Sequence, residues 1–209
     1  MARISELFPD VMLYVPGCPE PLVEQKIRDA AIEFCNLSGY WQEELDPFDT
    51  EADRGTYDID APANAVIRHI LTLKADEEIL IPSKTVSLDR RAEHWRTRTN
   101  KPRRYVLKSM TELLLTPTPD KIYSITAFAS LRPSNNATEI PDILMDFQRE
   151  VIASGAIFKL MTIPTRQWTD MNSAAIYRQQ FYRGVKQARI DANKQYSNAP
   201  QFLTPKPFA

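Results

Sequence analysis

Apolar residues recur at steps of three and four along one stretch of the chain, at Ile140, Ile143, Leu144, Phe147, Val151, Gly155, Phe158 and Met161. At 3.6 residues per turn they draw one stripe, which predicts a helix with a buried side. Thr138 is the expected N-cap, Pro141 fits the first turn, and Pro164 forbids continuation. A second helix is predicted from 170 to 195, with Met171, Ala174, Ala175, Tyr177, Phe181, Val185, Ala188 and Ala192 along one side. Most of these are small. With Ala153, Gly155 and Ala156 on the first helix they predict a close helical pair, Gly155 costing about 1 kcal/mol of propensity relative to Ala. A third helix should start at Pro19 and Pro21, bury Val23, Ile27, Ala30, Ala31 and Phe34, and stop at Gly39. Phe34, Phe147, Val151, Phe158 and Phe181 are the expected bundle core.

Periodicity is lost over 42–60 and returns as alternation. Ile67, His69, Leu71 and Leu73 are expected on one face of a strand, with His69 a core histidine, and Tyr123, Ile125, Ala127, Ala129 and Leu131 on one face of another. Residues 105–115 read as a third long strand, joined to the next by a hairpin through 116–121, and short strands are expected near 57–59, 79–81 and 85–88. The predicted fold is α+β: an antiparallel helical bundle built from both ends of the chain, an inserted small antiparallel β-sheet or barrel lobe, and an extended C-terminal tail. The expected divisions are 1–50 and 135–197 for the two parts of the bundle, 51–134 for the β-rich lobe and 198–209 for the tail.

At 209 residues and 43% hydrophobic the chain can bury a core. No apolar run approaches the roughly 18 residues that span a bilayer, and the amino end lacks a signal-like segment, so synthesis in the cytoplasm is expected. Cys18 and Cys35 sit in no CxxC and are too few for a disulfide framework; Cys35 is expected to pack in a helix. The net charge of −1 conceals an asymmetry: residues 1–60 hold 14 acidic and 4 basic side chains, and the remainder 13 acidic and 22 basic. Such a chain either neutralises itself by folding its ends together or stacks heterologously on copies, plus side to minus side.

Four stretches are candidates for function. Glu43, Glu44, Asp46, Asp49, Glu51 and Asp53 form an acidic run, either a solvated loop or a counter-surface for a basic partner. Arg90, Arg91, Trp95, Arg96, Arg98, Arg103 and Arg104 form a basic arm, which either lies in solvent, contacts a neighbouring subunit, or grips phosphates with Trp95 stacking on a base. Arg178, Arg183, Lys186, Arg189 and Lys194 make the second helix basic, toward a neighbour or toward DNA. Phe202, Leu203, Pro205, Pro207 and Phe208 give the tail an apolar, non-helical character suited to a partner's groove, with disorder and return packing as the alternatives. No catalytic, metal or cofactor site is expected. His69 and His94 lack ligand spacing, the five glycines form no phosphate loop, GxSxG is absent, and Asp142, Asp146 and Glu150 read as the solvated edge of a helix.

Several short motifs then fall into one succession. They are Val15, Pro16, Gly17, Cys18 and Pro19; Ala30 to Cys35 leading to Trp41; Tyr57 to Pro62; Leu115 to Pro119; Leu131, Arg132 and Pro133; Ile140 to Leu144; and Ala153 to Ala156 followed by Trp168. In this order the chain resembles the tailed-bacteriophage head-to-tail adaptors of the connector, or tail tubular protein A, type. The resemblance implies a structural virion protein, not an enzyme, that sits at the head-tail junction. It implies a homo-oligomeric ring, dodecameric in relatives, between the portal protein and a tail or nozzle protein, with DNA passing through without sequence-specific binding. It also implies that the tail reaches into the portal. The rival expectation is a nucleic-acid-binding module that uses the basic arm.

Overall fold

The computed structural model describes residues 1–91 and 94–194. In chain order it has β1 (Ala2–Arg3), a 3-10 turn (Ile4–Leu7), α1 (Phe8–Met12), α2 (Glu20–Ser38), β2 (Gln42–Asp49), β3 (Thr56–Asp58), β4 (Ala65–Ala75), β5 (Glu78–Ile79), β6 (Ile81–Pro82), α3 (Thr85–Arg91), β7 (Arg104–Leu107), β8 (Glu112–Thr116), β9 (Ser124–Pro133), β10 (Glu139–Ile140), α4 (Asp142–Met161) and α5 (Met171–Asn193). Among the described residues, those within 41–140 form one compact unit and those of 1–40 and 141–194 another.

In the helical unit α4 packs against both α2 and α5. Helix α2 buries Val23, Ile27, Ala30, Ala31, Phe34 and Cys35, and Gly39 closes it in the left-handed region at φ 64°, its N–H donating to the Cys35 carbonyl at 2.9 Å. Helix α5 starts where the Asp170 carboxylate accepts the N–H groups of Asn172 and Ser173, at 3.0 and 3.2 Å. It buries Ala174, Phe181, Val185, Ala188 and Ala192. Helix α4 is capped by Pro141 rather than by Thr138. Its buried face keeps the expected Leu144, Gly155 and Met161 but departs from the rest of the stripe, because it serves two neighbours: Met145, Ile152, Ala153, Ala156, Ile157 and Leu160 are also inside. Phe147 is 71% exposed and is no core residue; Val151 and Phe158 are half-buried, whereas Phe34 and Phe181 are fully enclosed.

The other unit holds two four-stranded sheets, in the orders β2-β9-β4-β5 and β3-β8-β7-β6. Every pairing in them is antiparallel except β6 with β7, which is parallel. This corrects the expected architecture. The protein is α+β and rich in sheet, rather than a helical bundle from both ends with one small sheet or barrel inserted.

The reasons are local. The acidic stretch that looked like a loop contributes β2, since Leu45 alone turns inward between exposed acids and hides the alternation. The run 105–115 breaks around Ser109 and Met110 into a hairpin of β7 and β8, pairing Tyr105 with Leu115 and Leu107 with Leu113. Residues 116–121 therefore lead from one sheet to the other instead of closing a hairpin. The strand expected at 85–88 is the start of α3. In β4 the register shifts between Ile67 and His69 and again between Ile70 and Thr72, so Ile67 and Leu73 point inward while His69 and Leu71 are exposed.

Candidate functional site

The acidic run forms an exposed edge. Among the described residues strand β2 pairs only with β9, and Glu43, Glu44, Asp46, Asp49, Glu51 and Asp53 are all exposed. The register runs from Leu45 opposite Ala127 to Phe48 opposite Ile125, which leaves Asp46 and Pro47 as a bulge facing one residue of β9. The segment beyond the strand is held firmly. The Thr50 N–H donates to the Tyr123 carbonyl while the Thr50 hydroxyl accepts the Tyr123 N–H, both at 2.9 Å, and the Tyr57 hydroxyl donates to the carbonyl of Arg54 at 2.6 Å and accepts the Glu51 N–H at 3.1 Å. Glu51 pairs with Arg54, and Glu43 accepts the Trp41 indole N–H at 3.0 Å. The carboxylates of Glu44, Asp46, Asp49 and Asp53 have no ion-pair partner among the described residues.

The basic arm is a folded cluster. Trp95 is 8% exposed and packs with Leu88 of α3, Val106 of β7 and Leu114 of β8. Its indole N–H donates to Asp89 at 2.9 Å, Arg96 pairs with the same carboxylate at 2.7 Å, and the Arg96 guanidinium lies 4.4 Å from the indole centroid. The bonds from Trp95 and Arg96 hold the Asp89 carboxyl below the usual range. A base has no open indole face here to stack on. Arg90, Arg98 and Arg103 are exposed, Arg104 begins β7, and Arg91 closes α3. The Asp89–Trp95 pairing had no sequence signal, because six residues and a turn separate the two.

Helix α5 carries a second basic surface. Arg178, Arg183, Lys186 and Arg189 are exposed; Arg178 lies 5.9 Å from the Tyr182 ring, whose hydroxyl donates to Glu33 at 2.7 Å, while Lys159 pairs with the other Glu33 oxygen at 2.5 Å. The bond to Glu33 raises the Tyr182 pKa. Arg183 and Lys186 border a groove of about 640 Å³ on the α4–α5 seam, with Val151, Gly184 and Ile190 supplying its apolar lining. Sequence periodicity did not reveal this groove, which exists because Gly184 lets the helices approach over Val151.

Phe202, Leu203, Pro205, Pro207 and Phe208 lie outside the described residues. Among the described residues no His, Cys, Asp and Glu groups are placed to hold a metal ion, and no helix is long and apolar enough to cross a membrane. No curated protein matches the chain. The family model for SU10 adaptor protein matches residues 2–202, nearly the whole length, so the chain belongs to this family of bacteriophage structural adaptors.

Proposed function

We propose that the protein is the head-to-tail adaptor of a tailed phage, assembling as a ring that joins the capsid portal to the tail and leaves a channel for DNA. Membership of a structural adaptor family supports a virion protein that associates with other head and tail components and works by binding rather than catalysis. The family match carries the reading. The separated charges support it: an exposed acidic edge on β2 and two basic surfaces suit head-to-tail contacts between copies. In this reading the outward arginines of the arm, Arg90, Arg98 and Arg103, contact a neighbouring subunit. Phe202, Leu203 and Phe208 with their flanking prolines dock in the portal.

The test is deletion of residues 197–209, followed by electron microscopy of the chain mixed with its phage's portal protein. The expected result is a folded chain that no longer seats on the portal; unchanged seating overturns the docking role. Tight, salt-dependent binding of free duplex DNA by the isolated chain would favour the nucleic-acid-binding reading instead. The enclosed indole of Trp95 weighs against that reading.

A further inference from the structure

The ring reading sets two basic surfaces against one acidic edge, and the structure distinguishes them. The arm spends part of its charge inside its own lobe: Arg96 on Asp89, Lys101 on Glu78 and the adjacent Lys108 on Glu112. Helix α5 does not. Arg183, Lys186 and Arg189 are exposed and have no ion-pair partner among the described residues, and Arg183 and Lys186 stand over an apolar groove. Glu150 of α4 also lines the groove, so the cationic rim lies on its α5 side, and Val151, Gly184 and Ile190 beside Arg183 and Lys186 call for a projecting segment that is apolar at its tip and acidic where it meets α5.

The chain contains such a segment. At the β2 bulge Pro47 is exposed between Asp46 and Asp49, with Glu44 two residues before Asp46. The bulge takes Asp46 and Pro47 out of one-to-one pairing with β9, and Pro47 has no N–H to offer another strand. This edge is thus poorly made for extending a sheet and well made for insertion as a knob. Arg183 to Arg189 spans about 9 Å along the helix at 1.5 Å per residue, which matches the roughly 10 Å from Asp46 to Asp49 at 3.3 Å per residue, while Glu44 lies about 7 Å further along the strand and meets the end of the basic row.

We propose that the α4–α5 seam of one copy receives the Asp46–Pro47 bulge of a second copy, with Arg183, Lys186 and Arg189 facing Glu44, Asp46 and Asp49. The inference rests on the ring reading and names the contact that would propagate it. Because knob and groove are different surfaces of one chain, the contact is heterologous and leaves a free knob and a free groove at the ends of any open chain of copies.

Charge exchange tests it in the full-length protein. Self-association of the wild type is measured by sedimentation at low and at moderate salt, beside the triple variants Arg183→Glu/Lys186→Glu/Arg189→Glu and Glu44→Lys/Asp46→Lys/Asp49→Lys. Each reversal alone is expected to raise the self-association dissociation constant at least tenfold with circular dichroism unchanged, and an equimolar mixture of the two variants should associate again, into oligomers in which the two variants alternate. Reversals that leave association as in the wild type, or a mixture that stays unassociated, overturn the contact while the ring reading stands. A disulfide test covers weak association, since the native Cys18 and Cys35 are buried. Oxidised Asp46→Cys/Lys186→Cys should give a ladder of linked copies. A ladder from Asp46→Cys/Arg98→Cys in its place assigns the edge to the arm and overturns this proposal. Linked monomer alone places the pair within one chain and also overturns it. A wild type that neither self-associates nor forms rings on its portal counts against the ring reading itself.

Discussion

Gly155 of α4 lies against the ring of Phe181 of α5: a Cβ at Gly155 would stand 2.7 Å from both Cδ2 and Cε2 of that ring and 3.0 Å from the Ala30 Cβ. Three helices therefore converge on one missing methyl. The ring is fully enclosed and cannot swing aside.

Gly155→Ala is accordingly expected to destabilise the protein. Helix propensity favours alanine by about 1 kcal/mol, whereas forcing an atom into a filled core costs about 1–3 kcal/mol. The net expectation is a loss of about 1 kcal/mol, read as a lower urea midpoint at unchanged slope.

Two phenylalanines of the same helical unit should behave oppositely. Phe181→Ala empties an enclosed site and should cost about 3–5 kcal/mol in denaturant unfolding. Phe147→Ala removes an exposed ring and should stay within about 0.5 kcal/mol.

Asp89 ties Trp95 and Arg96 together, and its folded pKa lies below the usual carboxylate value. Its contribution is fully present above the unfolded pKa, about 3.9, and is lost as pH falls through the lower folded value. In a Trp41→Phe/Trp168→Phe background the fluorescence of Trp95 should report this loss during acid titration. Asp89→Asn should flatten that dependence and expose the indole at neutral pH.

Tyr123 gives the alkaline counterpart. Its hydroxyl donates to Asp120 at 2.7 Å, and that bond, with burial, pushes its pKa up to about 12. The stabilisation is complete below the unfolded value of about 10 and disappears as pH rises through about 12. Ultraviolet titration of the eight tyrosines should show a late-ionising component, which Asp120→Asn brings earlier.

The helices were legible where one neighbour decided burial. The α2 positions Val23, Ile27, Ala30, Ala31 and Phe34 repeat at helical spacing and are the residues inside. Helix α4 was misread by part of a turn because two helices share its surface, which turns Met145 and Ile152 inward and Phe147 outward. In the sheets the losses came from irregularities that a period of two cannot express. Two register shifts move His69 into solvent, and a bulge in an acidic edge disguised β2 as a loop. At the candidate surfaces the charges were visible along the chain but their internal neutralisation was not. Only the fold brings Asp89 to both Trp95 and Arg96, and only helix contact opens a groove beside Gly184.

Among the crossings between the two sheets, the shortest joins their margins. Strand β5 ends the first sheet at Ile79, β6 starts the edge of the second at Ile81, and Leu80 between them is 1% exposed with its N–H bonded to the Leu73 carbonyl at 2.8 Å. That joint has no slack residue to serve as a hinge. A displacement at the margin of either sheet has only the single buried residue Leu80 through which to be absorbed before it reaches the other.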